Sequence, residues 1–484
     1  YSYNADNEMT SLGLSINSTL DAQLTFSYDG DGNVTGMTST APSVSGSHTI
    51  TTSYSYNQVN ELTNITDMDA TANTLLASYS YSYNADGNVS SYQDNSGNSL
   101  TYGYNGDQEL TSATGTLAGS NYTFTYNYDP NGNRTSTSTD VNGNLTSATY
   151  TTGTGNELLS DGTYSYTYDH DGNMTSQTNL QTGSVTYYTW NYENQLTEVK
   201  VENSQGQVLE DETFTYDVFG NRIAESLNGT PTLYTVYNGS NPYMDFNGSG
   251  TLTERYLTNP NTLSQFYGQV SASGTVQWFL TDNINSIRQV ISASGSVLNA
   301  ITYDPYGNIL NQTNAAYAPR MLYAGGTYDP LAGNYQFDAR NYSPADGRFV
   351  SQDPLGFKAG DTDLYRYVGN RPTNLVDPSG MMKIGWSWWG ALGGALSTGT
   401  FGMVIGGAVT SEAPPLVPVG MAIGAGVGAF AGCVAGGITS GTFLPPDATP
   451  LEKALFGAAT APGAVVAAGG VIIITGIIIL SPFK

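Results

Sequence analysis

Cysteine is nearly missing from this sequence. Cys433 is the only one in 484 residues, so no internal disulfide framework can hold the chain together. Histidine is almost as scarce, with His48 and His170 alone, and the two shortages together leave no ligand set for a zinc centre; no metal and no cofactor is expected. Positive charge is the third shortage: 40 acids face 14 Lys and Arg, the formal net charge is -26, and no Lys or Arg precedes Arg134. Phosphate contacts need clustered Lys and Arg, so a nucleic-acid partner is not expected. Residues 381–484 carry Glu412, Asp447 and Glu452 against Lys383, Lys453 and Lys484, which places the whole net charge in residues 1–380. Such an exterior suits a soluble, self-repelling protein, or simply an acidic proteome. The first residue, Tyr1, already sits inside a repeat, with no Met start, basic n-region or apolar h-region before it, so the chain reads as a piece of something longer. Its length also exceeds what one core usually fills, so two or more structural units are expected.

What is present is a tandem array. Residues 1–225 repeat a Tyr-x-Tyr-Asp/Asn unit followed by a turn, with tyrosines at 28, 56, 83, 104, 128, 168, 192 and 216. The spacing is mostly that of a stacked β array. The turns alternate between two kinds. One ends in Gly-Asn, as in Asp29-Gly30-Asp31-Gly32-Asn33 and Asn84-Ala85-Asp86-Gly87-Asn88; the other ends in an acid or amide plus an aliphatic, as in Asn60-Glu61-Leu62 and Gln108-Glu109-Leu110. Runs such as Tyr79-Ser80-Tyr81-Ser82-Tyr83 alternate with period 2 and predict strands with tyrosine on one face and Ser or Thr on the other. A tyrosine stripe can bind carbohydrate or peptide, but recurrence at one repeat position is what packing between successive strands requires. The Asp and Asn of the turns suit calcium or plain hairpin chemistry, and no bidentate Glu follows at the spacing of an EF-hand loop.

From about residue 226 to 337 the repeats change character without stopping, and they give way to a junction, Asp338 to Met382, that holds the unit Asp-Pro-x-Gly twice: Asp353-Pro354-Leu355-Gly356 and Asp377-Pro378-Ser379-Gly380. Alone, each is a turn, with Asp at the first position, Pro presetting φ at the second and Gly at the last. Arg340 and Arg348 lie upstream, and Leu364-Tyr365-Arg366-Tyr367, Asn370 and Pro372 lead into the second copy. Two carboxylates brought close cannot both ionise cheaply, so such a pair can share a proton and act as base on a water and acid on a peptide. Either arginine could tune that pair.

The run strongly resembles the Rhs repeat-associated core domain of Rhs/YD-repeat polymorphic toxins and of the C components of Tc insecticidal toxins, and the upstream array resembles YD repeats. The resemblance implies an all-β fold in which a spiralling sheet forms a hollow shell. It also implies a core that cuts its own chain as an aspartyl protease, with Asp353, Asp377 and Arg340 as catalytic residues and Met381-Met382 as the bond cut. Met381 stands where the family usually has Leu. The implied organisation is repeats at 1–277, core at 278–381 and a C-terminal region at 382–484.

That last region differs in kind. It is apolar and nearly uncharged, and the final run Gly463 to Leu480 is long enough to approach a bilayer's thickness. Gly420, Gly424, Gly428, Gly432 and Gly436 recur every fourth residue, a stripe that lets helices approach closely in lipid. Prolines at 414, 415, 418, 445 and 446 divide it into three helical candidates. Membrane insertion is the expectation, with a buried helical hairpin or a disordered linker as the alternatives.

Together these features predict a secreted or surface Rhs-family toxin of bacterial competition. Its shell would enclose its own C-terminal tail and release it by self-cleavage onto the lipid bilayer of a target cell, with an immunity protein and a secretion apparatus as further partners. The competing expectation is an adhesive surface stalk whose tail is a membrane anchor.

Overall fold

The computed structural model describes residues 1–381 throughout, and beyond them only the backbone of the strands Ile384–Gly385, Val465–Ala467, Val471–Ile474 and Ile477–Ile478. Met382, the glycine stripe from Gly420 to Gly436 and the three expected helices, apart from those short strands, lie outside the described residues. Among the described residues no helix is long and apolar enough to cross a membrane. The chain divides into two compact units, Tyr1–Ala395 and Leu396–Lys484; in the second, the three short strands pair antiparallel in sequence order.

The first unit is all-β, as expected. Each strand pairs antiparallel with the next, giving a sheet of 13 strands that ends at Asn144–Thr149 and another of 16 strands from Thr151–Thr152 to Ile309–Gln312. The second sheet thus runs through residue 278 without a break. The strand Thr74–Tyr83 shows the alternation read from the sequence: Ala77, Tyr79 and Tyr81 are buried while Ser80 and Ser82 are exposed. The buried faces meet in one core that joins Leu24, Ile65, Tyr79 and Phe124 of the first sheet to Leu257, Val270, Trp278 and Ile291 of the second. Burying each such side chain stabilises the fold by roughly 1.5–3 kcal/mol.

The repeat tyrosines have a defined structural task. Tyr28, Tyr56, Tyr83 and Tyr128 each donate a hydrogen bond to a backbone carbonyl about one repeat earlier, on Met9, Val34, Leu62 and Leu110, at 2.6 to 2.9 Å. Each of these tyrosines also sits where the strand register shifts by a bulge. One assignment needs correction. At 192 the sequence suggested a repeat tyrosine, but Trp190 fills that role, donating from Nε1 to Met174 O at 2.7 Å, and Tyr192 is 93% exposed at a turn tip. The reason is local: Asn191 opens the turn by accepting from the backbone of Glu193 and Gln195, so the residue before it closes the strand.

The two kinds of turn share one geometry. In both, the fourth residue has positive φ, supplied by Gly32 and Gly87 in one kind and by Asn7 and Asn60 in the other. In both, the opening Asp or Asn accepts backbone N–H groups two and four residues on, as Asp29 does from Asp31 and Asn33 and Asn57 from Val59 and Glu61. The turn carboxylates are therefore occupied by their own backbone. A Cβ on Gly87 would lie 3.3 Å from Glu61 Oε1 of the neighbouring turn, so glycine sits there without displacing that side chain.

Candidate functional site

The junction folds as a small sheet of four strands, Thr327–Asp329, Asn334–Phe337, Arg340–Ser343 and Arg348–Phe349. Its aromatic core contains Tyr323, Tyr335, Phe337, Tyr342, Phe349 and Tyr367, all essentially fully buried. Phe337 pairs with Arg340 across a two-residue turn, in which Asp338 takes a positive φ of 44°. This turn starts the strand that carries Arg340. It is fastened to the second Asp-Pro-x-Gly turn by a bond from Ala339 N–H to Ser379 O at 3.1 Å.

Arg340 is the centre of the site. Its Nη2 lies 2.9 Å from Asp353 Oδ2 and 3.0 Å from Asp377 Oδ2, which keeps those two oxygens within two hydrogen-bond lengths of each other. Nη1 donates to Leu364 O at 3.1 Å, Nε donates to Gly380 O, and the guanidinium carbon stands 3.5 Å from the centre of the Phe349 ring. Arg340, Asp353 and Asp377 are 3%, 9% and 2% exposed. Burial presses the Arg340 guanidinium down from its usual value, while Asp377 and Asp353 pull it back up. A cation between two buried carboxylates offsets their repulsion, so the pair does not depend on a shared proton to coexist.

The other candidate arginine goes elsewhere. Arg348 stacks on Tyr365, with 4.8 Å from its Cζ to the ring centre, and its Nη2 lies 3.6 Å from Asp363 and bonds Asn156 O. Of the expected residues, Met381 does join the aspartates. Its N–H donates to Asp377 Oδ1 at 3.0 Å, and it helps line a cavity of about 20 Å³ together with Arg340, Asp353 and Asp377. That volume is enough for about one water. The structure therefore brings together Arg340, Asp353, Asp377 and Met381.

The sequence reading overlooked three further residues on the same cavity, Asp361, Asp363 and Arg366. Arg366 grips Asp361 with a two-pronged contact, Nη2 to Oδ1 at 2.7 Å and Nε to Oδ2 at 2.9 Å. The signal was available as two acids two residues apart just before the Leu364-Tyr365-Arg366-Tyr367 run. Asp338 was overlooked as well; its carboxyl is pushed up to about 6, first by burial and then by Asp217 and Asp377.

These features define a class of protein, an all-β array of tyrosine repeats closed by a core with two Asp-Pro-x-Gly turns on one arginine. The chain belongs to the teneurin YD-shell family, whose model matches residues 94–373. The expected kinship with Rhs/YD-repeat proteins is thereby borne out. It is 30% identical over 212 residues to the tRNA3(Ser)-specific nuclease WapA of Bacillus spizizenii, across 42% of this chain and 8% of that one. It is 26% identical over 181 residues to the double-stranded DNA deaminase toxin A of Burkholderia cenocepacia, across 37% of this chain and 12% of that one. In fold it is similar to the crystal structure of TcdB2-TccC3-TEV, with a TM-score of 0.58 and 21% identity over 77% of this chain and 21% of that one. The chain thus spans only a small part of the length of each.

Proposed function

We propose that this chain is the shell and core of a secreted Rhs-type polymorphic toxin, and that the core severs the Met381-Met382 bond to free residues 382–484. The observation that carries the reading is the meeting of Arg340, Asp353, Asp377 and the Met381 backbone around one water-sized cavity. In this reaction a water adds to the Met381 carbonyl carbon, one aspartate takes its proton, the C–N bond to Met382 breaks, and the proton passes to the new amine. The turnover is single, so modest rate enhancement suffices. Similarity to WapA and to the deaminase toxin supports the toxin role, because both are named for an effector activity and each is far longer than the matched segment.

The repeats form a shell that carries the tail as its own cargo, and the tail is a membrane-active effector packing through Gly420, Gly424, Gly428, Gly432 and Gly436 in the bilayer of a target cell. An immunity protein and a secretion apparatus complete the system. Intact mass of the purified chain tests the cleavage: the expected products end at Met381 and begin at Met382, and Asp353→Asn or Asp377→Asn leaves only full-length chain. A wild-type chain that folds and stays whole removes the reading and favours a permanently joined anchor. For the tail, replacing Gly424, Gly428 and Gly432 by Leu is expected to preserve liposome binding and to lower dye release; a tail that never partitions into liposomes overturns the membrane role.

A further inference from the structure

Glu109 lies in the repeat array more than two hundred residues before the cleavage site, yet it reaches the site's architecture. In most repeats this slot has a local environment. Glu8, Glu61 and Gln195 each bond the Asn that opens their own turn, at 2.5 to 2.7 Å, and face the glycine of the adjacent turn; all three are half-buried. Glu109 bonds its own Asn105 in the same way, at 2.7 Å, but it is only 4% exposed. The difference is an inserted side chain from the core. Arg366 enters between Glu109 and the adjacent Gly132, its Nη1 lying 3.3 Å from Glu109 Oε1, which also accepts from Asn370 Nδ2 at 3.0 Å.

The following repeat also holds this core segment. Asn156 Nδ2 donates to Thr362 O at 3.2 Å, between the two cavity aspartates Asp361 and Asp363. Consequently the cavity's second guanidinium is placed by two successive repeats. Its placement matters to the first. Four aspartates line the cavity: Arg340 faces Asp353 and Asp377, Arg366 holds Asp361, and Arg348 stands 3.6 Å from Asp363. Without the Arg366 fork, Asp361 would draw on Arg340, which must serve Asp353 and Asp377.

We propose that Glu109 and Arg366 are positioning residues through which the cleavage site senses that the repeats have packed onto the core, so that self-cleavage waits for the array to be in place. This inference rests on the self-cleaving reading above. It gives the array a role in timing: a chain whose repeats have not closed on the core would hold Arg366 free to swing, and the tail would stay attached until the container is built.

The experiment uses the full chain made by cell-free synthesis, with cleavage followed on denaturing gels by pulse-chase. Glu109→Gln removes the charge facing Arg366 and keeps one acceptor oxygen, which can serve Asn105 or Asn370 but not both. It is expected to slow cleavage about tenfold, the effect of losing roughly one charge-assisted contact. Glu61→Gln makes the same change in an equivalent turn where no core side chain inserts, and should cleave at the wild-type rate. Arg366→Lys keeps the charge and loses the fork; it should slow cleavage similarly, and combining it with Glu109→Gln should add little further delay. Wild-type kinetics in Glu109→Gln and Arg366→Lys, or equal slowing by Glu61→Gln, overturns the inference and leaves the self-cleaving reading intact. A wild-type chain that stays whole removes both.

Discussion

The two Asp-Pro-x-Gly turns share a motif and a backbone geometry but not an environment. Gly356 and Gly380 have φ of 56° and 66°, and in each turn the glycine N–H bonds the aspartate carbonyl, at 2.8 and 3.2 Å. Around the first turn, Leu355 and Phe357 are 37% and 74% exposed, and a Cβ on Gly356 would meet nothing within 4 Å. Around the second, a Cβ on Gly380 would lie 2.4 Å from Phe337 O and 2.8 Å from Arg340 N. The first turn delivers a carboxylate from the surface, while the second is built into the hairpin that carries the arginine. A turn motif sets where the chain bends, and packing sets what the bend is for.

Removing the arginine should break both turns at once. Arg340→Met leaves Asp353 and Asp377 buried without their shared cation, and unfolding in urea should show a loss of about 3–5 kcal/mol near neutral pH. The loss should shrink as the pH is lowered and the carboxyls protonate. Equal loss at every pH would mean that the cation matters only as packing against Phe349.

Another buried acid in the repeats sharpens the contrast, because it has no cation. Asp67 is 1% exposed, takes a bond from the Thr52 hydroxyl at 2.6 Å, and leaves Oδ2 without a partner; burial pushes it up to about 7. Its folded value lies above the unfolded one, so folding takes up a proton between about pH 4 and 7 and stability falls as pH rises through that window. Asp67→Asn should flatten this fall and stabilise the chain by about 2–4 kcal/mol at pH 8, and by much less at pH 4. Urea titrations at the two pH values decide it.

Gly380→Ala and Gly356→Ala test the turns directly. The first should cost about 2–3 kcal/mol and stall cleavage, since neither Phe337 O nor the Arg340 backbone can retreat. The second should cost about 1 kcal/mol, the strain of positive φ alone, and leave cleavage measurable. Smaller still is Tyr83→Phe, which removes one bond to Leu62 O and leaves the ring in place; about 0.5–1.5 kcal/mol is expected by thermal unfolding. A neutral result there would assign the repeat tyrosines to packing alone.

Much of this was legible in the sequence because its causes are local. Period-2 alternation and the two kinds of turn depend on residues a few positions apart. The misplacement at Tyr192 shows the limit even there: tyrosine spacing pointed to it, while Asn191 marked Trp190 as the closing aromatic. The aspartate pair was legible only through the resemblance of the two Asp-Pro-x-Gly units and their flanks to the Rhs core, since each unit alone reads as a turn.

The sequence by itself thus determined strands and turns, products of short-range sterics and hydrogen bonding. Only the tertiary structure decided that Arg340 rather than Arg348 takes both aspartates, that one turn is buried and its copy exposed, and that Glu109 meets Arg366 of the core. Those outcomes rest on contacts between residues far apart in the chain, and identical local motifs carry no record of which side chain arrives from elsewhere to cover them.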